Sequence, residues 1–415
     1  MRLTPGWVEA VHRRLDARLL HDSAIPLALA LSGGGDSVAL LHLAADWAAR
    51  RGRSILALTV DHGLDPGSAL WTAFAQTTAR GLGADWQGLS WMGDKPDTGL
   101  PAAARAARHA LLAEAARAAG ARVILMAHTA DDMAEGDWMR REGAPLGRLR
   151  EWGPSPAWPE GRGLMLLRPL LDVRRPDLRE FLGARAAAWI DDPANQDPRF
   201  HRARARTALA ADVAAGHTLE ERARAPLDLT CDPVTGVISG PLDSPWLGHA
   251  IACASGDAAL PSASAVETAR RRLAGGIGQT TLSGALLVLE GGRVVVSRER
   301  GRRPGLDLPL APGQVAVWDG RFEVLASRPG WRIGAAAGRR NRLAGPDRAA
   351  LSALPPFARP SHPVLFREDG SRPLLADPAV ETRCLVPDRL RLAGGVQRED
   401  DLEPSPWRGL LHRPI

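Results

Sequence analysis

The 415-residue chain is 45% hydrophobic and 24% charged, the balance of a globular protein long enough for two or three domains. Of its 53 Lys and Arg residues only Lys95 is lysine, which excludes a Walker A loop built on Gly-Lys-Ser/Thr and argues against Schiff-base chemistry. A net charge of +6 admits a polyanionic partner, while three cysteines without metal-ligand spacing and no apolar run near the ~18 residues of a membrane span point to a cytoplasmic protein.

Pro26 to Leu31 reads as a buried strand that ends in Ser32-Gly33-Gly34-Gly35-Asp36-Ser37. A helix over Val38 to Ala49 follows, with Val38, Leu41, Ala45 and Ala48 on one face. Ser54 to Val60 is the next strand, then a turn at Asp61-His62-Gly63 and a helix near Ser68 to Leu82. Residues 100–119 are Ala-rich and helical, Val123 to Ala127 is a strand, and Ala130 to Arg141 a helix. Such alternation predicts an open α/β sheet of parallel strands, whose ligands bind beyond the strands' carboxyl ends. All the candidate motifs named so far fall there.

Gly143 to Gly163 carries four prolines and reads as a long, mobile loop, followed by a helix over Pro176 to Arg185. After about Asp212 the composition turns Gly- and Pro-rich, with strands expected at Leu286–Leu289, Arg293–Ser297 and Arg321–Ala326 and a hairpin turn at Gly291-Gly292. Two domains are therefore expected, 1–213 and 214–415, the second a β-containing accessory region of one or two subdomains.

Between a strand and a helix, the Ser32–Ser37 hexapeptide has the makings of a phosphate loop. Its glycines allow backbone N–H groups to close on an anion, the helix start adds partial positive charge, and Ser32 and Ser37 can donate hydroxyls. Asp36 would repel bare phosphate, so its expected task is to hold Mg²⁺. The plain alternative is a Gly-rich turn with Asp and Ser capping the helix. Downstream, Asp131 and Glu135 stand at i, i+4 and Asp132 and Glu135 at i, i+3, close to His128. They are either a polar site or dipole-stabilising acids with a structural histidine. Arg105 and Arg108 share a helix face, and Arg199, Arg202, Arg204 and Arg206 crowd into eight residues; both sets are anion contacts or solvated charges. Asp191, Asp192, Asn195 and Asp197 suit a polar turn as well as catalysis. Trp7, Trp47, Trp71, Trp86 and Trp91 are expected in the core, whereas Trp152 and Trp158 either stack on a base or anchor their loop.

The hexapeptide resembles the Ser-Gly-Gly-X-Asp-Ser loop of the N-type ATP pyrophosphatase (PP-loop) superfamily. Within it the chain resembles the tRNA(Ile)-lysidine synthetase family, through matches that run in order over the first ~210 residues. They are Asp61-His62-Gly63-Leu64, the helix Ala102 to His109 with Arg105 and Arg108, the segment Ala127 to Glu135, Arg168-Pro169-Leu170-Leu171 with Arg175, and Trp189 to Asp197 continuing to Phe200, Arg202 and Arg206. Asp61 and Thr129 replace usual histidines, Met133 a usual Gln and Pro101 a common Glu, and the family's glycine-rich loop is hardly recognisable after Arg140. The C-terminal half resembles the family faintly, chiefly at Thr281-Leu282-Ser283-Gly284.

The resemblance implies a PP-loop adenylation domain over 1–213 and a tRNA-positioning region over 214–415. It implies ATP and Mg²⁺ over Ser32–Ser37, with Gly33, Gly34, Gly35 and Asp36 in the cradle. The partners it implies are tRNA(Ile) with a CAU anticodon and free L-lysine, with a homodimer left open. Cytidine 34 would be adenylated and lysine joined at C2 to give lysidine. Asp36, Asp132 and Glu135 would be the catalytic acids, one of the last two taking the amine proton. His128, Asp132, Glu135, Arg108, Arg202 and Arg206 would bind lysine or tRNA. The alternatives are another PP-loop enzyme acting on a different oxygen, or a non-catalytic RNA-binding relative. The absence of cysteine before Cys231 disfavours a thiolating enzyme.

Overall fold

The computed structural model describes residues 5–65, 67–144, 146–191, 201–209, 225–300, 306–403 and 407. They fall into two units, one within Met1–Ala223 and Gln397–Glu403, the other within Arg224–Val396 and Pro404–Ile415. Asp192, Asn195, Asp197, Arg199 and Phe200 lie outside the described residues.

The first unit runs α1 Gly6–Arg18, β1 Leu27–Ala30, α2 Gly35–Arg50, β2 Ile55–Asp61, α3 Ser68–Gly81, β3 Asp85–Ser90, α4 Leu100–Ala118, β4 Val123–Leu125 and α5 Ala130–Arg141. It continues with β5 Trp152–Pro154, β6 Met165–Leu167, α6 Arg175–Gly183 and α7 His201–Leu209. The six strands form one sheet in the order β3-β2-β1-β4-β6-β5, parallel except for β5 at the edge. The expected open α/β sheet is thus present, with an antiparallel edge strand added. Central β1 (Leu-Ala-Leu-Ala) and β4 (Val-Ile-Leu) are apolar throughout because helices cover both faces of a parallel sheet. Both pair at once with a neighbour, Ala28 facing Leu56 on one side and Ile124 on the other. The chain builds β1, β2 and β3 outward, then returns to lay β4 against the free side of β1. That reversal opens a crevice at the carboxyl ends of β1 and β4, where the Ser32–Ser37 loop and the His128–Glu135 segment emerge.

Two expectations need correction. Residues 143–163 are not simply a loop: Trp152 to Pro154 is β5, antiparallel to β6, and Ser155 N donates to Leu164 O at 3.0 Å. Trp152 is 4% exposed under the Arg18 guanidinium, which makes it a buried anchor and not a free stacking platform. Of the five tryptophans expected in the core, Trp47 is fully buried, its Nε1 donating to Asp16 Oδ1 at 2.9 Å, while Trp7, Trp71, Trp86 and Trp91 are half-buried.

The second unit opens with β7 Thr230–Cys231, β8 Ile238–Pro241, α8 Leu247–Ser255, α9 Ala263–Ala274, β9 Gln279–Leu282, β10 Ala285–Glu290 and β11 Arg293–Arg298. These strands form an antiparallel sheet, β7-β8-β11-β10-β9. Glu290 pairs with Arg293 across Gly291-Gly292, whose φ values of 55° and 79° suit the two-residue hairpin turn expected there. Further strands β12 Leu308–Leu310, β13 Val315–Trp318, β14 Phe322–Ala326, β15 Trp331–Ala335, β16 Pro363–Arg367 and β17 Val380–Cys384 make two three-stranded sheets around Trp318, Trp331 and Ile333, with helices α10 Gly345–Ala353 and α11 Val386–Gly394. Among the described residues no helix is long and apolar enough to cross a membrane.

Candidate functional site

The loop after β1 is held by its own serines. Ser37 Oγ donates to Gly34 O at 2.8 Å and accepts from Ser32 N at 3.2 Å, with Ser32 Oγ 3.1 Å away. Gly33 sits at φ +83°, where a side chain is strained, and its carbonyl accepts from Ile190 N at 3.0 Å. Gly34 caps α2, so Gly35, Asp36 and Ser37 already form its first turn and no side chain caps it. The Asp/Ser capping alternative is therefore not what these residues do. An added Cβ at Gly35 would lie 1.9 Å from Arg179 Nη1; glycine leaves a cradle there that a guanidinium fills.

Thr129 caps α5 through a reciprocal box: its N–H and hydroxyl donate to Asp132 Oδ2 at 2.9 and 3.0 Å, and Asp132 N donates back to Thr129 Oγ1 at 3.4 Å. Asp132 and Glu135 are both nearly fully buried. Arg175, the first residue of α6, ties the acids together. Its Nε donates to Asp36 Oδ2 at 3.3 Å, Nη1 to Glu135 Oε1 at 2.5 Å and Nη2 to Asp132 Oδ1 at 3.0 Å, while its main-chain N donates to Asp131 Oδ2 at 2.8 Å. Arg179, one turn on, donates to Asp36 Oδ1 at 3.1 Å. Arg206 Nε reaches Glu135 Oε1 at 2.8 Å and Arg202 Nη1 lies 3.9 Å from Asp132. Glu135 Oε2 is buried and has no hydrogen-bond partner among the described residues.

Burial pushes the Asp36 carboxyl up, and Asp132's charge adds to this against Arg175 and Arg179. At Asp132 burial acts in the same direction, but Arg175, the Thr129 amide and Arg202 outweigh it and hold the carboxyl below its ordinary value. Burial opposes the charge on Arg175, yet Asp132, Glu135 and Asp36 keep its proton more tightly bound than usual.

The opposite wall is basic. Burial, with Arg105 and Arg202 nearby, lowers Arg108 to about 10, and its Nε is buried without a partner among the described residues. Arg168 is lowered to about 10 by burial and Arg105; its Nε donates to His128 Nδ1 at 3.2 Å. Burial and Arg168 depress His128 to about 3, so the ring is neutral, with Nδ1 engaged and the proton on Nε2. It is a structural acceptor in this arrangement and offers no free basic nitrogen.

Asp36, Asp132, Glu135, Arg202 and Arg206 are thus brought into one network, with His128 joined to the basic wall. Sequence reasoning left Arg175, Arg179 and Arg168 without roles. Arg168 and Arg175 stood in matching segments, and Arg179 is the i+4 neighbour of Arg175 on α6. Asp191 accepts from Trp189 Nε1 at 3.1 Å, a local turn contact. Among the described residues no three His, Cys, Asp or Glu side chains are placed to hold a metal ion. A single carboxylate suits Mg²⁺ when phosphates and water supply the other oxygens; Asp36 would first have to exchange Arg175 and Arg179, which hold both of its oxygens, for the ion.

Residues 8–213 match the PP-loop domain family, which uses ATP. The chain is 45% identical over 410 residues to a tRNA(Ile)-lysidine synthase from Caulobacter vibrioides, covering 95% of this chain and 99% of that one. A tRNA(Ile)-lysidine synthase from Mesorhizobium japonicum is 37% identical over 381 residues, 79% of this chain and 80% of the relative. Among solved structures, the U34-tRNA thiolase NcsA from Methanococcus maripaludis overlaps 50% of this chain and 75% of its own, with a TM-score of 0.42 and 16% identity.

Proposed function

The chain belongs to the tRNA(Ile)-lysidine synthase family, and on that premise we propose that it makes lysidine at cytidine 34 of a CAU-anticodon tRNA(Ile). Cytidine O2 attacks the α-phosphate of ATP, the bond to the departing pyrophosphate breaks, and the base is left adenylated. The lysine ε-amine then attacks C2, the C2–O bond breaks, and AMP leaves. Adenylation converts an oxygen that leaves poorly into one that leaves well.

Ser32, Gly33, Gly34, Gly35 and Ser37 form the phosphate cradle at the start of α2, where aligned N–H groups and the helix dipole favour negative charge. Asp36 would hold Mg²⁺, which draws electron density from the phosphates when bound. Arg108, buried with an Nε that has no partner among the described residues, supports the reading of a nearby anion, a substrate phosphate.

The single observation that carries lysine as substrate is Glu135 Oε2. A buried carboxylate oxygen without a donor is costly, and an ammonium group satisfies it. Asp132 has both oxygens occupied and a depressed pKa, which suits a fixed counter-charge better than a base. Glu135 Oε2 is left to accept the amine proton as nitrogen attacks. Arg202 and Arg206 serve the lysine carboxylate or the tRNA. Residues 214–415 position the tRNA body, and the enzyme works in the cytoplasm.

The test is pyrophosphate release from ATP with Mg²⁺ and CAU-anticodon tRNA(Ile), with and without lysine, followed by mass analysis of the tRNA. The reading expects tRNA-dependent release and a lysine-dependent mass gain. Release that ignores this tRNA, or no lysine in the product, overturns it.

A further inference from the structure

One side chain, Arg175, occupies the carboxylates that both substrates need. Its three guanidinium nitrogens are each given to a different acid, Asp36, Asp132 and Glu135. Arg179, at i+4 on the same helix, fills the cradle over Gly35 and holds the other oxygen of Asp36. The two arginines therefore connect the phosphate loop with the acids of α5, and they do so as cations. A lysine ammonium that approaches Asp132 and Glu135 in this arrangement meets a guanidinium already in place. A polyphosphate that approaches Gly35 meets the same pair of cations as an attraction.

We infer that Arg175 is a positioning residue that couples the two binding events. While the loop is empty it neutralises Asp132 Oδ1 and Glu135 Oε1, so that an ammonium reaching the open Glu135 Oε2 meets a cation beside it. When ATP enters, Arg179 and Arg175 exchange Asp36 for phosphate oxygens, and Asp132 and Glu135 become available to lysine. The inference rests on the proposed lysine-ligase reading of the site. Because a ligand shifts an equilibrium only by its differential affinity for the two states, the coupling must be reciprocal. ATP strengthens lysine binding by the same factor that lysine strengthens ATP binding. Couplings of this kind amount to roughly 5–150-fold.

The experiment is calorimetric titration of the full chain with L-lysine, alone and after saturation with Mg²⁺ and α,β-methylene-ATP, repeated with the order reversed. Wild type should bind lysine at least ~10-fold more tightly with nucleotide, with an equal factor in the reverse order. Arg175→Gln should close most of that gap by tightening lysine binding in the absence of nucleotide. Arg175→Lys, which keeps the charge, should restore part of the dependence. Arg179→Gln, at a more exposed position, should weaken nucleotide binding and reduce the coupling, and it serves if Arg175→Gln does not fold. Equal lysine affinity with and without nucleotide in wild type overturns the inference while leaving the lysine-ligase reading intact. So does an Arg175→Gln protein that keeps the full nucleotide dependence and simply binds lysine more weakly. Nucleotide binding with no lysine binding in wild type refutes the ligase reading itself, and the coupling with it.

Discussion

Arg53, just before β2, and Glu399, near the end of the described chain, form an ion pair whose side chains are both 0% exposed. The pair is bidentate, Nη1 to Oε2 at 2.9 Å and Nη2 to Oε1 at 3.0 Å. Arg53 also donates to the carbonyls of Leu20 and Ile25, and Glu399 accepts from Leu20 N at 2.9 Å. The guanidinium thereby holds the chain entering β1 and β2 at the end of the sheet opposite the site. Glu399→Gln keeps the shape of the side chain and removes its charge, which leaves a buried cation uncompensated. Breaking such a pair from one side costs about 3–5 kcal/mol, a large share of the ~5–15 kcal/mol that stabilises a typical domain. At tenfold per ~1.4 kcal/mol, amide exchange through global opening of the unit should accelerate by roughly two to four orders of magnitude. Hydrogen exchange read by mass spectrometry on peptides covering Leu27–Ala30 and Ile55–Asp61 resolves this unit from the other, which bulk unfolding does not. Arg53→Met should cost a comparable amount. The double variant should cost no more than the worse single one, because each single cost is mainly the other partner's orphaned charge. Strictly additive costs, or a Glu399→Gln protein within ~1 kcal/mol of wild type, would refute the reasoning.

Gly33→Ala forces a side chain to φ +83° and sets its Cβ 3.1 Å from Ile190 Cδ1, so it should destabilise by about 1–2 kcal/mol and slow pyrophosphate release; Gly81→Ala, in open space at the end of α3, should stabilise by ~0.5–1 kcal/mol. His109 is held near a pKa of about 3 by burial and by Arg108, Arg105 and Arg168, well below the ordinary histidine value. Between pH ~6.5 and ~3 the unfolded chain therefore binds a proton that the folded one refuses, and stability should fall by up to ~1.4 kcal/mol per pH unit as acid is added. His109→Gln should flatten that slope in urea midpoints measured from pH 7 to 5, and an unchanged slope would contradict the assignment. Trp152→Ala should cost about 3–5 kcal/mol in thermal or urea unfolding because it empties a buried site; intact stability with lost tRNA affinity would return Trp152 to the stacking role.

The parts of this protein that contiguous residues encode could be read directly. Ser32 to Ser37 shows its glycine-rich turn between strand and helix within six residues, and Asp132 and Glu135 share a helix face at i, i+3 spacing. Strands β1, β2 and β4 announce themselves because central parallel strands must be apolar. Edge strand β3, Asp-Trp-Gln-Gly-Leu-Ser, is largely exposed and gives no such signal, and β5 and β6 are three residues each. The Pro- and Gly-rich stretch from 143 to 163 therefore read as loop until pairing with β6 made a strand of Trp152 to Pro154.

Tertiary structure alone decided which charges meet. In a chain this rich in arginine, local pattern does not distinguish Arg175 from its neighbours, and its acids lie 40, 43 and 139 residues away. Glu399 finds Arg53 across 346 residues. The neutrality of His128 likewise follows from Arg168 and burial, not from the residues beside it. Local sequence specifies the turn after β1 because glycines and serines set its backbone, although Ile190 and Arg179 complete it from far along the chain. It does not specify the counter-charges, because pairing depends on the crevice formed when β4 returns to the side of β1.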